Sequence, residues 1–132
     1  MAYRYKVSNR YKEWLKQADY DMETAEVMFH SGRHFYAVFM CHLSVEKALK
    51  SLYVRRLGEV PPKTHNLLYL LGTIGLRPEQ EIEKFITKLN TASIATRYPE
   101  DLAKLQAVYT AEITVDMLGK SQEVLQWVKP QL

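Results

Sequence analysis

At 132 residues, with 18 basic and 15 acidic side chains giving a formal charge of +3, the chain is one domain's worth of sequence and long enough to bury a core. Its 47% hydrophobic and 25% charged content excludes a disordered chain, and five glycines and five prolines gathered in a few places exclude the regular turns of an all-β fold. The single cysteine, Cys41, excludes an internal disulfide and a cysteine zinc site, and its neighbours Phe39, Met40 and Leu43 mark it as a packing residue. No apolar run reaches the roughly 18 residues of a membrane span and no apolar leader opens the chain, so the expected setting is the cytoplasm.

The first helix is expected to begin after Ser8 or Asn9, either of which caps, and to stop at Gly32. Trp14, Ala18, Met22, Ala25 and Phe29 recur along it at helical spacing, with Asp19, Glu23 and Glu26 towards the other face. The second helix spans His34 to Leu57. Its first half is apolar nearly all round, which makes it the central helix. Its second half turns amphipathic, with Ala48, Leu49 and Leu52 inward and Lys47, Lys50 and Arg55 outward, before Gly58 and Pro61-Pro62 end it.

A short element follows, with Thr64 as its cap, Leu67, Leu68, Leu70 and Leu71 as its apolar content, and Gly72 and Gly75 as its stop. Pro78 suits the first turn of the next helix, whose stripe is Ile82, Phe85, Ile86 and Leu89. The last helix opens near Thr110 and carries Ile113, Met117, Leu118, Val124, Leu125 and Val128. Between them, Ser93 to Tyr109 reads as a long polar and aromatic connection containing Arg97-Tyr98-Pro99-Glu100-Asp101, where proline forces Tyr98 out of helical geometry. The expected fold is all-α: an up-and-down four-helix bundle with one additional short helix, a single domain over 1–132 with its core at about 9–129.

The charge is uneven. Residues 1–16 hold Arg4, Lys6, Arg10, Lys12 and Lys16 against Glu13 alone, and residues 47–63 hold Lys47, Lys50, Arg55, Arg56 and Lys63 against Glu59 alone. Such patches steer phosphate-bearing partners, although solvated helix faces give the same pattern.

Motifs that carry chemistry are few. The glycines form no phosphate-binding loop, and no His-Glu-x-x-His zinc helix is present. His42 and Glu46 share a helix face and suit a hydrogen-bonded structural pair, an acid/base pair or two metal ligands. A bundle metal site would need repeated Glu-x-x-His units, which are absent, so no metal and no cofactor are expected. Glu46 precedes Lys50 by the spacing of a helix salt bridge. His65 stands at a helix start, where imidazoles cap or act in catalysis. Cys41 and His42 point about 100° apart on a helix, a poor nucleophile–base pair.

Three stretches, in order, resemble the HEPN family (higher eukaryotes and prokaryotes nucleotide-binding domain). They are Trp14 to Ala25 with the turn Ser31-Gly32-Arg33-His34-Phe35-Tyr36; Cys41-His42-Leu43-Ser44-Val45-Glu46-Lys47-Ala48-Leu49-Lys50; and Pro62-Lys63-Thr64-His65-Asn66-Leu67 followed by Thr96-Arg97-Tyr98-Pro99. The resemblance implies a small helical bundle, a homodimer, and partnership with a separately encoded minimal nucleotidyltransferase in a toxin–antitoxin-like pair. Ribonucleases of that family carry an arginine followed after four to six residues by a histidine near the start of the last helix. Here no histidine follows His65, and Arg56 and His65, the nearest pair, have eight residues between them.

The expected function is therefore a non-catalytic dimeric module binding a nucleotide, RNA or a partner protein, with no membrane association. Its expected contact residues are Arg97, as a fork on phosphate or carboxylate, and Tyr98, as a stacking ring, together with His42, Glu46, Lys47, Lys50, His65 and Asp101. The alternatives are a divergent metal-independent endoribonuclease lacking the usual motif and a purely structural subunit of a larger assembly.

Overall fold

The computed structural model describes Val7 and residues 9–132; the Ser8 cap, Arg4 and Lys6 lie outside the described residues. From Tyr11 onward the described residues form, in order, α1 (Tyr11–His30), α2 (His34–Leu57), α3 (Leu67–Ile74), α4 (Gln80–Arg97), α5 (Leu102–Val108) and α6 (Ala111–Val128), with a final 3-10 turn at Lys129–Gln131. Four are long and form an all-α bundle, in which α2 packs against every other helix and most extensively against α1.

Helix α2 takes its central place from its composition. Val38, Cys41, Val45, Ala48, Leu49 and Leu52 are completely buried, and removing so much apolar surface from water is the main force assembling the bundle. Ala18, Met22 and Ala25 present the inward stripe of α1; Phe85, Ile86 and Leu89 that of α4; Met117, Val124 and Val128 that of α6. Ile113, expected among the apolar positions of the last helix, is 40% exposed, and its neighbour Thr114, fully buried, takes the inward position on that turn.

Helix ends follow local chemistry. Gly32 takes φ 76° and allows the tight turn from α1 into α2, a left-handed conformation that side chains with a Cβ resist. The cap of α3 is Asn66 rather than Thr64: the Asn66 side chain accepts from the N–H groups of Leu68 and Tyr69, while Thr64 Oγ1 accepts from Asn66 N–H. Gly72 lies inside α3, and Gly75 alone ends it. Helix α4 begins at Gln80, just past a buried Pro78.

The expected long connection over 93–109 is overturned. Helix α4 runs through to Arg97 and α5 occupies 102–108, which leaves only Tyr98 to Asp101 irregular between them. Ser93 and Thr96 sit on the buried face of α4, and their hydroxyls are satisfied within the helix by the carbonyls of Asn90 and Ala92. Pro99 then stops α4, with Tyr98 at φ −125°, ψ 69°, and Asp101 starts α5 by accepting from Lys104 N–H.

Candidate functional site

The polar residues of α2 form a seam along the helix face that meets α4 and the 58–66 segment. At its lower end Glu46, only 4% exposed, accepts a hydrogen bond from Lys50 Nζ at 3.0 Å on Oε2 and from His65 Nδ1 at 2.8 Å on Oε1. Lys50 is itself 6% exposed and lies over the Trp14 ring at 5.6 Å. The expectation that Lys50 points outward is therefore corrected. Its ammonium is drawn under α1 by a carboxylate and an aromatic face, which together offset the loss of water. Lys47 also fails to stand free: it makes an ion pair with Asp21 at 2.9 Å, close in distance but off the hydrogen-bonding direction. Asp21 is buried on α1, one turn from Ala18, and the apolar stripe gave no warning of it beyond that spacing.

His42 occupies the middle of the seam and is fully buried. Its Nε2–H donates to the His65 carbonyl oxygen at 2.9 Å. A carbonyl cannot donate, so this bond fixes the tautomer and leaves Nδ1 as a lone-pair acceptor. That Nδ1 has no hydrogen-bond partner, because Glu46 Oε1 is 3.9 Å away. Burial pushes the His42 imidazole down to about 4; Glu46 and the His65 carbonyl oppose the shift, while the positive charge of Arg97 adds to it. At neutral pH His42 is uncharged.

Arg97, at the last turn of α4, closes the upper end. Its guanidinium stacks on Phe39 of α2, 4.8 Å from the ring centroid, and its Nη2 is buried with no hydrogen-bond partner. Among the described residues no carboxylate pairs with it. The next residue, Tyr98, is 69% exposed, whereas Asp101 is committed to capping α5. Of the expected contact residues, the fold brings His42, Glu46, Lys50, His65 and Arg97 into one seam, puts Tyr98 at its open end, and ties Lys47 and Asp101 to other partners. Phe39 was missed as the platform for Arg97; an aromatic ring one turn before Leu43 carries no mark of that role in sequence.

The chemistry of the seam is selective. The Cys41 thiol is pushed up to about 12 by burial, which removes it as a nucleophile. Among the described residues no three His, Cys, Asp or Glu side chains are arranged to hold a metal ion. His65 is different: its side chain is 57% exposed, and with Nδ1–H given to a buried carboxylate its Nε2 is held as the basic nitrogen.

An all-helical bundle organised around a central helix with a Glu-Lys-Ala-Leu-Lys run is the class these features define. Residues 11–131 match the HEPN domain family, and the chain belongs to that family. Two solved structures are similar: TT1696 from Thermus thermophilus, 26% identical with a TM-score of 0.79 over 94% of this chain and 99% of that one, and ST0689, an archaeal HEPN homologue, 26% identical with a TM-score of 0.74 over 92% and 97%. No curated protein matches the chain. Among the described residues no helix is long and apolar enough to cross a membrane.

Proposed function

We propose that the chain is a non-catalytic, homodimeric HEPN module of the cytoplasm that binds the phosphate of a nucleotide at Arg97. In this reading Tyr98 offers its ring to the base, and the surface also serves a minimal nucleotidyltransferase partner in a toxin–antitoxin-like system. The observation that carries the ligand site is the state of Arg97. A buried guanidinium donor with neither carboxylate nor carbonyl is costly, and an anionic oxygen would satisfy it. His42 Nδ1, an unpartnered acceptor in the same seam, suits a ligand hydroxyl. The exposed apolar side chains Ile94, Tyr98 and Leu102 support a protein interface beside the site.

Calorimetric titration with ATP and other nucleotides tests the ligand reading. Saturable binding by the wild type that weakens about tenfold or more in Arg97→Ala is the expected result, from loss of one charge-assisted contact. Failure of both proteins to bind would end it and leave the partner-binding role, which sedimentation and co-purification with the nucleotidyltransferase measure separately.

The ribonuclease reading is favoured by one specific feature, the Glu46–His65 pair. His65 reaches the seam from a different stretch of sequence, and both it and Arg97 act on His42. Its free nitrogen supports proton abstraction from a 2′-hydroxyl, with Arg97 neutralising phosphate charge. Cleavage of single-stranded RNA lost in His65→Ala would establish that activity; an inert wild type would dismiss it.

A further inference from the structure

Glu46 is saturated by its two partners, but His65 is left with a nitrogen to spare. The ring gives Nδ1–H to Glu46 Oε1 at 2.8 Å and its side chain is 57% exposed. Nε2, on the far side of the ring, keeps a free lone pair. We propose that His65 Nε2 is a phosphoryl-acceptor site, which takes the phosphoryl group of an acyl phosphate and holds it as a phosphoramidate. This site does not depend on a nucleotide at Arg97. It also differs from the ribonuclease reading in what Nε2 receives: phosphorus, kept on the protein, in place of a proton.

The ring is held in one pose from behind. Glu46 is 4% exposed and Lys50 Nζ holds its other oxygen at 3.0 Å, so the carboxylate cannot turn away from His65. His42 Nε2–H donates to the His65 carbonyl at 2.9 Å, which fixes the backbone that carries the ring. A nucleophile already fixed in pose and tautomer has less freedom to lose on reaching the reacting atom. The carboxylate also stabilises the positive charge that the ring acquires when Nε2 forms a bond.

The step balances without a further reactant. The Nε2 lone pair forms the bond to phosphorus as the bond from phosphorus to the acyl oxygen breaks, and the carboxylate leaves with that electron pair. Nδ1 keeps its proton, and the imidazolium faces the Glu46 charge.

The surroundings favour phosphoryl over acyl transfer. An acyl group would need donors for a tetrahedral oxyanion, and the amides beside the ring are taken. Asn66 N–H donates to Thr64 Oγ1, Leu67 N–H to Asn90 Oδ1, and those of Leu68 and Tyr69 to Asn66 Oδ1. A phosphoryl dianion needs cations instead. Lys63, exposed and two residues before His65, has no carboxylate partner among the described residues, and Lys50 offsets the charge of Glu46.

The chain carries its own comparison. His42 is fully buried, whereas His30 is exposed and His34 partly so. Among the described residues neither of these two pairs with a carboxylate; both rings lie against Phe29 at 5.4 Å between centroids.

The probe is acetyl phosphate, incubated with the full chain at neutral pH and followed by phosphorus NMR and by fragment mass spectrometry in alkali, which preserves a phosphoramidate. An acid-labile phosphoryl group on His65, forming at least about tenfold faster than on His30 or His34, is the expected result. Glu46→Gln keeps an oxygen for Nδ1–H and removes the charge. It should slow His65 about tenfold and leave the His30 rate unchanged, a change in ratio that a loosened core would not produce. If that variant fails to fold, the comparison among the histidines of the wild type still decides. An unlabelled His65, labelling no faster than at His30, or a His65 rate that folded Glu46→Gln leaves intact would overturn the proposal. Failure to cleave RNA would end the ribonuclease reading alone.

Discussion

The two ends of the α2 seam are built from similar residue types and left in opposite states. Around Glu46 each charge has a partner inside the chain: the carboxylate takes Lys50 on one oxygen and His65 on the other, and Lys50 also rests over Trp14. Around Arg97 a cation is stacked on Phe39 while one of its buried donors faces nothing. A saturated cluster joins α1, α2 and the segment before α3, so it belongs to the architecture. An unsaturated one is where the proposed phosphate would gain most, because an oxygen placed there makes the hydrogen bond that folding left unmade.

If that contrast is right, damage at Glu46 should unfold the protein and damage at Arg97 should not. Glu46→Ala strands Lys50 in a low-dielectric site and should cost about 3–5 kcal/mol in urea denaturation. Adding Lys50→Met to it should recover part of the loss, since the uncompensated charge is gone.

Next in size is the pH dependence that His42 confers. Its folded value of about 4 lies below the unfolded value of 6.5, so between them the unfolded chain binds more protons. Stability from this group is complete above pH 6.5 and is lost as the pH falls towards 4, by on the order of 3 kcal/mol in all. His42→Gln should flatten that slope in denaturation curves taken across the range; an unchanged slope would move the titration to another group.

Asn66→Ala removes the cap of α3 and should cost about 1 kcal/mol, an internal standard for an ordinary local loss. Arg97→Ala should cost no more than about this much stability, because a partly buried guanidinium without a carboxylate gives up mainly its packing on Phe39. Any larger effect would mean that Arg97 is architectural, and the contrast between the two ends would fail. The smallest effect is expected for Lys120→Ala, which breaks a solvent-exposed pair with Asp116 and should change stability by under about 0.5 kcal/mol.

Most of the bundle was legible in the order of residues. The boundaries of α2 at His34 and Leu57 follow from an apolar run closed by a glycine, and the start of α6 follows from Thr110, whose hydroxyl accepts from Ile113 N–H. Helical periodicity and capping act over a few residues, so a linear reading reaches them. It failed at 93–109 because Ser, Thr and Asp serve a loop and a helix equally well, and the packing that buries Ala92, Ser93 and Thr96 on α4 joins residues far apart in the chain.

The site was legible as a set of residues and not as an arrangement. His42, Glu46 and Lys50 announced a shared face by their spacing, but that spacing also made Lys50 an outward lysine. The fold buries it, because Trp14 and Glu46 meet it from two sides. Likewise, nothing in the chain's order joins His65 to Glu46 or Arg97 to Phe39. Periodicity and capping are local, so amino-acid order settled the helices and the core. Which donors end up paired depends on contacts between residues far apart in the chain, and those exist only once the helices have packed.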